Sequence, residues 1–233
     1  YTLRSFVPDP ANMKASIAGA RIFKTFPGAN DQLYVATNFG FSVMDPITGQ
    51  IESFNNRYDL APDIRYGWTR CFVQDTVHQT MWIGTGYGLA RMNTVAGDSV
   101  KLLNLTSPLE EGYMHDDIIC IVQHPRNPGL LWLGTPEGII QYDIDAHQYT
   151  HIMCKDIPPQ EKYIRDMFID QSGMIWLSIG DGYVAGYSPD TQQWIVHRIP
   201  ANQHLPGSSR GINRLIPAGG NEAWLATETT VGR

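Results

Sequence analysis

Carboxylates, arginines and aromatic residues recur at two kinds of place in this chain of 233 residues. One group precedes short apolar runs: Arg65, Tyr66 and Trp68; His115, Asp116 and Asp117; Tyr163, Arg165 and Asp166; Arg210 and Asn213. The other follows a repeated aromatic pentamer: Tyr87, Glu137, Asp181 and Glu228. Converging carboxylates could serve as general acid and base, the pair that glycoside hydrolysis needs. Flat rings beside guanidinium and carboxylate groups could instead hold a sugar, by stacking and by charge-assisted hydrogen bonds. The plainer account of any one of them is structural, a carboxylate that caps a turn or pairs with a neighbouring arginine. His115 with Asp116 and Asp117 could ligate a metal ion, but a solvated loop explains these three better. No zinc-type spacing, Gly-x-Ser-x-Gly elbow or phosphate-binding glycine loop occurs. No residue is therefore assigned to catalysis or to a metal, and no cofactor is expected.

What positions these residues is the pentamer Met81-Trp82-Ile83-Gly84-Thr85. It recurs as Leu131-Trp132-Leu133-Gly134-Thr135. Weaker copies begin at Leu33, Ile175 and Ala223. The aromatic stands at 34, 82, 132, 176 and 224, in steps of 48, 50, 44 and 48 residues. A period of about 40–50 residues with strand-like content is that of propeller blades. A strand with one wet face alternates apolar and polar residues. The pentamer is apolar on both faces, so both must be covered, as they are when sheets stack blade on blade. Its small fourth residue suits a place where backbones crowd.

Each repeat reads as a meander of four short strands. Inner strands are expected at Ile17–Lys24, Thr69–Gln74, Ile118–Gln123, Tyr163–Ile169 and Gly211–Ile216, each followed by a turn and the pentamer. Turns such as Asn38-Phe39-Gly40 and Gly86-Tyr87-Gly88 lead to a third strand, and a fourth closes the blade. The repeats span approximately 16–58, 66–107, 116–154, 162–199 and 210–233. The expected fold is an all-β propeller of four-stranded antiparallel blades, with about four and a half blades present in one domain. Alternating chain direction puts the loops before inner strands and the loops after pentamers on one face. Arg65, Trp68, Tyr87, Asp117, Arg165, Asp166 and Asp181 are therefore the expected ligand-binding residues. The opposite face carries turns such as Asp75–Thr80 and Asp170–Gly173, which read as plain turn chemistry.

A net charge of −6 and a pI near 5.6 argue against a nucleic-acid partner. No apolar run is long enough to span a bilayer. No leader sequence is evident and Tyr1 is no natural start, so the chain reads as a mature or excised piece. Three cysteines cannot all pair internally. Cys71 and Cys120 occupy like places in successive repeats and are expected to be buried, inert thiols. An array left open at its ends would expose apolar edges, so self-association, as a homodimer for instance, is expected.

The extended pattern Asp-x-x-Gly-x-apolar-Trp-Ile/Leu-Gly-Thr-x-x-Gly-apolar is seen by joining Asp170, Gly173 and Trp176 to Trp82-Ile83-Gly84-Thr85 and Gly88-Leu89. It resembles the two-component regulator propeller repeat, and the resemblance covers nearly the whole chain. The first repeat departs from it with Tyr34 and Ala36, the fourth with Ile179 and the fifth with Thr230. That family builds the periplasmic sensor regions of hybrid histidine kinases in glycan-degrading bacteria. The resemblance implies a periplasmic, non-enzymatic ligand-sensing segment whose signal is an oligosaccharide. Further blades, a β-sandwich domain, a membrane helix and a kinase are implied elsewhere in the same receptor. The alternatives are a propeller glycosidase or polysaccharide lyase, and a structural scaffold for dimerisation.

Overall fold

A computed structural model of the chain describes residues 5–28, 31–55, 68–94, 101–103, 117–158, 161–180, 182–199, 213–219, 222–226 and 231–232. These residues form antiparallel meanders in sequence order and contain no α-helix. Blade 1 is β1 (Ile22–Pro27), β2 (Leu33–Thr37), β3 (Gly40–Met44) and β4 (Ile51–Asn55). Blade 2 is β5 (Thr69–Asp75), β6 (Thr80–Thr85), β7 (Gly88–Asn93) and β8 (Lys101–Leu103). Blade 3 is β9 (Cys120–His124), β10 (Asn127–Thr135), β11 (Gly138–Asp143) and β12 (Gln148–Ile152). Blade 4 is β13 (Ile164–Ile169), β14 (Ile175–Ile179), β15 (Tyr183–Ser188) and β16 (Gln193–Arg198). Blade 5 has β17 (Arg214–Gly219), β18 (Glu222–Ala226) and the short β19 (Val231–Gly232). The fold is an all-β propeller array. It divides into two compact units, Tyr1–Ile118 with blades 1 and 2, and Ile119–Arg233 with blades 3 to 5.

In the first unit β5 packs against β1 and β2. Tyr34, Phe41 and Val43 of blade 1 close on Phe72, Met81 and Met92 of blade 2. The Phe72 ring lies 5.6 Å from both Tyr34 and Phe41. In the second unit β13 lies between β9 and β17. Its core joins Trp132 and Ile139 of blade 3 to Leu177, Tyr183 and Tyr187 of blade 4. The pentamers run through these cores, and Trp82 and Trp132 are almost wholly buried.

The small fourth pentamer residue has a direct cause. Gly84 pairs with Cys71 and Gly134 with Cys120. A Cβ on Gly84 would fall on the Cys71 sulfur and lie 2.9 Å from the Ile118 carbonyl oxygen. On Gly134 it would fall on the Cys120 sulfur, 2.7 Å from Ile164 Cγ2. All three cysteines are buried thiols that form no disulfide with one another. The threonine that follows is a turn device. The Oγ1 of Thr37, Thr85 and Thr135 donates to the carbonyl of Gly40, Gly88 and Gly138 at 2.9–3.0 Å and accepts the N–H of Phe39, Tyr87 and Glu137. Those turn glycines have φ of 113°, 122° and 132°, outside the range that L side chains adopt readily.

An aspartate locks the other end of the blade. Asp170 Oδ1 accepts the N–H of Ser172 and Met174, while Oδ2 takes the Trp176 indole N–H at 2.8 Å. Asp75 does the same for Val77, His78 and Trp82. Blade 3 has His124 there. Its Nδ1 accepts the N–H of Arg126 and Asn127 but offers nothing to the indole, and the buried Trp132 Nε1 has no partner.

The first inner strand departs from expectation. It begins at Ile22, and residues 14–18 cross blade 1 as a strap that is buried from Ser16 to Ala18. Serines satisfy this backbone: Ala18 N–H donates to Ser42 Oγ, Ser53 N–H to the Lys14 carbonyl, and Ser53 Oγ to the Ser16 carbonyl. Ile17 is buried by this strap, not by a strand. In blade 3 the pentamer strand starts four residues early, at Asn127, because the hairpin is drawn out past a register shift at Asn127–Leu131.

Gly84→Ala should lower stability by about 1–3 kcal/mol through overpacking, and more than Gly86→Ala, where the Cβ has room; urea unfolding checks this. Burial pushes the Asp170 carboxyl pKa up, but hydrogen bonds from Ser172, Trp176 and Met174 outweigh it and leave the value below 3.8. Its contribution is complete above the unfolded carboxylate pKa and is lost as pH falls through the lowered one. Asp170→Asn should therefore lower the melting temperature at neutral pH and bring the difference from wild type towards zero below about pH 3.

Candidate functional site

A β-bulge at the entrance of the inner strands builds the site. Pairing skips one residue between Ile22 and Lys24, between Thr69 and Cys71, and between Ile164 and Asp166. The unpaired residues are Phe23, Arg70 and Arg165. A bulge turns a side chain out of the ladder and re-aims it.

In the first unit this gathers a stacked cluster. Arg70 donates from Nε to Asp117 Oδ1 at 3.1 Å and from its terminal nitrogen to Oδ2 at 2.7 Å. This fork fixes the guanidinium plane. The plane lies 4.8 Å from the Trp68 ring centre and 5.3 Å from that of Phe23. Arg21 covers Phe23 at 5.2 Å. Trp68 remains 49% exposed and Tyr87 48% exposed. The loops meet through the backbone: Gly86 N–H donates to the Trp68 carbonyl at 2.8 Å, and Ile118 N–H to the Thr85 carbonyl at 2.9 Å. The turn after the pentamer, the residue before β5 and the residue preceding the next inner strand therefore converge, as the alternation of strands implies.

In the second unit Arg165 takes the bulge position. Its Nε donates to the Gly180 carbonyl at 3.0 Å, its guanidinium covers the Tyr163 ring at 5.5 Å, and it reaches Asn213 Oδ1 at 3.5 Å. Asp166 points elsewhere. It is 6% exposed, and its Oδ2 accepts the Leu215 N–H at 3.0 Å, so it ties blade 4 to the next inner strand. Arg214 stands 3.7 Å from its other oxygen. Arg65 and Asp181 lie outside the described residues, as do Tyr66, His115, Asp116, Arg210 and Glu228. No group of three metal-ligating side chains occurs among the described residues. Sequence reading missed Arg70, Phe23 and Arg21. The available signal was the arginine that recurs second in two inner strands, Thr69-Arg70 and Ile164-Arg165.

The sequence matches no protein-family model and no curated protein. Solved structures do match. The extracellular domain of one hybrid two-component system from B. thetaiotaomicron superposes with a TM-score of 0.71 at 16% identity, over 91% of this chain and 27% of its own. That of another gives 0.69 at 16% identity, over 96% and 28%. The propeller domain of Cps50 (Swd1) from Myceliophteria thermophila gives 0.61 at 11% identity, over 91% and 63%. The chain shares its fold with these extracellular domains and with that propeller domain. It spans little more than a quarter of the length of the two sensor structures.

Within this fold the Arg70–Asp117 fork is what holds Trp68 in place. Asp117→Asn should cost about 1 kcal/mol and shift Trp68 fluorescence, because one of two charge-assisted bonds goes and the guanidinium is freed. Asp145→Asn, at an exposed turn, should leave that fluorescence unchanged.

Proposed function

We propose that the chain is a periplasmic ligand-sensing segment of a membrane-bound hybrid histidine kinase, and that its ligand is an oligosaccharide. The observation that carries the reading is Trp68, half exposed and stacked on an arginine that Asp117 holds with both carboxylate oxygens. A flat ring held rigid and open to solvent is what a sugar face stacks on, and little side-chain entropy is lost when it does. Tyr87 beside it and the exposed Arg21 add a second ring and a cation. The likeness to extracellular domains of hybrid two-component systems supports the sensor reading, and with it a location outside the cytoplasm and a kinase elsewhere in the receptor.

The residues proposed to recognise the ligand are Trp68, Tyr87 and Asp117 in the first unit and, separately, Arg165 in the second, together with Arg65 and Asp181, which lie outside the described residues. Asp166 acts behind Arg165 by holding the adjoining inner strand. Asp117 and Asp166 are both engaged in hydrogen bonds, which favours recognition over hydrolysis. The test is calorimetric titration of the complete sensor region with glycan fragments. Trp68→Ala should weaken binding by about tenfold or more with folding intact, as a central aromatic anchor does. Unchanged affinity in both Trp68→Ala and Arg165→Ala would remove these residues as the ligand site. Turnover of the glycan by the purified chain would overturn the sensor reading.

A further inference from the structure

We infer a second binding site in the second unit: a groove at the rim between blades 3 and 4 that takes a neutral sugar unit. It has a volume of about 710 Å³, within the usual range of about 300–1,000 Å³ for ligand pockets.

Its walls follow from strand register. On blade 3, Trp132 pairs with Gln141 and Gln141 with Thr150, so the three form one row across the sheet. On blade 4, Ile175 pairs with Tyr187 and Tyr187 with Trp194. The two rows face each other, for the Trp132 and Tyr187 rings meet edge to face at 5.9 Å. Inward of that contact the seam is apolar. Outward, one wall becomes amide and hydroxyl, from Gln141 and Thr150, while the other stays aromatic, with Tyr187 and Trp194 4.8 Å apart and tilted by 44°.

The same row in blade 1 shows what a sealed seam looks like. There Tyr34 pairs with Val43, and Val43 with Glu52. Val43 is buried against Met81 and Met92 of blade 2. Gln141 stands where Val43 stands. Blade 2 has Arg91 and blade 4 has Gly186 in this place. A glutamine where blade 1 closes its core with Val43 needs hydrogen-bond partners, or its amide is desolvated at a cost. An open groove supplies them as water or ligand. Gln193 adds a second amide, and Lys155 and Asp156 at the edge carry opposite charges. Burial pushes the Tyr187 phenol pKa up, so its hydroxyl keeps its proton at neutral pH. Uncharged donors and acceptors on one side, and on the other the partly exposed Trp194 ring backed by the buried Tyr187, fit a polyhydroxylated ring with one apolar face, and the opposite charges at the edge favour neither an anion nor a cation.

The experiment is fluorine NMR of the chain labelled with 5-fluorotryptophan, the Trp194 and Trp68 resonances being assigned from Trp194→Phe and Trp68→Phe. The probes are tetrasaccharides of β-1,4-linked and α-1,4-linked glucose, a glucuronate-containing tetrasaccharide, and tetra-alanine amide. At least one neutral tetrasaccharide should shift the Trp194 resonance, whether or not Trp68 responds. Gln141→Val restores the residue type of blade 1 and should fold normally while weakening that response about tenfold. A response at Trp68 alone would sink the groove and spare the proposed function. A response at Trp194 alone would do the reverse. No response at Trp194 to either neutral probe, a response only to the glucuronate or the peptide probe, or full affinity in Gln141→Val would each overturn the inference.

Discussion

The constraint on which the rest depends is the approach of neighbouring inner strands at the fourth pentamer residue. At Gly84 the space a side chain would need is filled by the Cys71 sulfur and the Ile118 carbonyl. At Gly134 it is filled by the Cys120 sulfur and Ile164. In blades 2 and 3 a residue without a side chain lets the next inner strand come this close, and the large residues on either side are buried. Blade 1 admits a methyl group there, on the wholly buried Ala36. Ser178 in blade 4 is wholly buried too, and its hydroxyl accepts the Asp166 N–H at 3.0 Å, so the polar side chain admitted there is satisfied.

Tight packing at the inner edge explains why chemistry collects at the strand entrances. A continuous ladder would send Arg70 and Arg165 into the seam, where an unpaired guanidinium is costly. The bulges turn them outward to rings and carbonyls instead. Asp166 shows the converse, a charge kept inside because a backbone N–H from the next strand meets it. Loops on such a scaffold are held by hydrogen bonds made elsewhere, which leaves rings like Trp68 free to face solvent.

Much of this was legible. The pentamers, the meander order and the turn glycines follow from period and residue type, and β6, β7 and β14 fall where the repeat puts them. The aspartate six or seven residues before the tryptophan was legible as a pattern but not as a bond; the structure shows an indole N–H donated to a carboxylate. Ile17 and Ala18 misled because burial of two apolar residues looks the same in a strap as in a strand, and the serines that satisfy the strap lie 24 and 37 residues away. Arg70 was passed over because the recurrence of an arginine second in two inner strands gains its meaning only once the bulge that re-aims it is seen. Gln141 was passed over because its correspondence to the buried Val43 appears only when the registers of two blades are laid side by side.

The buried Trp132 Nε1 has no hydrogen-bond partner, yet Trp132 holds the same ladder position as Trp82 and Trp176, opposite the inner-strand residues Val122, Val73 and Phe168. Its place in the ladder is therefore kept without the polar tie, which is an addition to a register already decided. In a stacked array each blade answers to its neighbours as much as to its own sequence. A blade can thus exchange its hairpin, as blade 3 has, without passing the change along the stack. That insulation lets loops diversify one at a time, which is how a repeated scaffold can present unlike surfaces from near-identical strands.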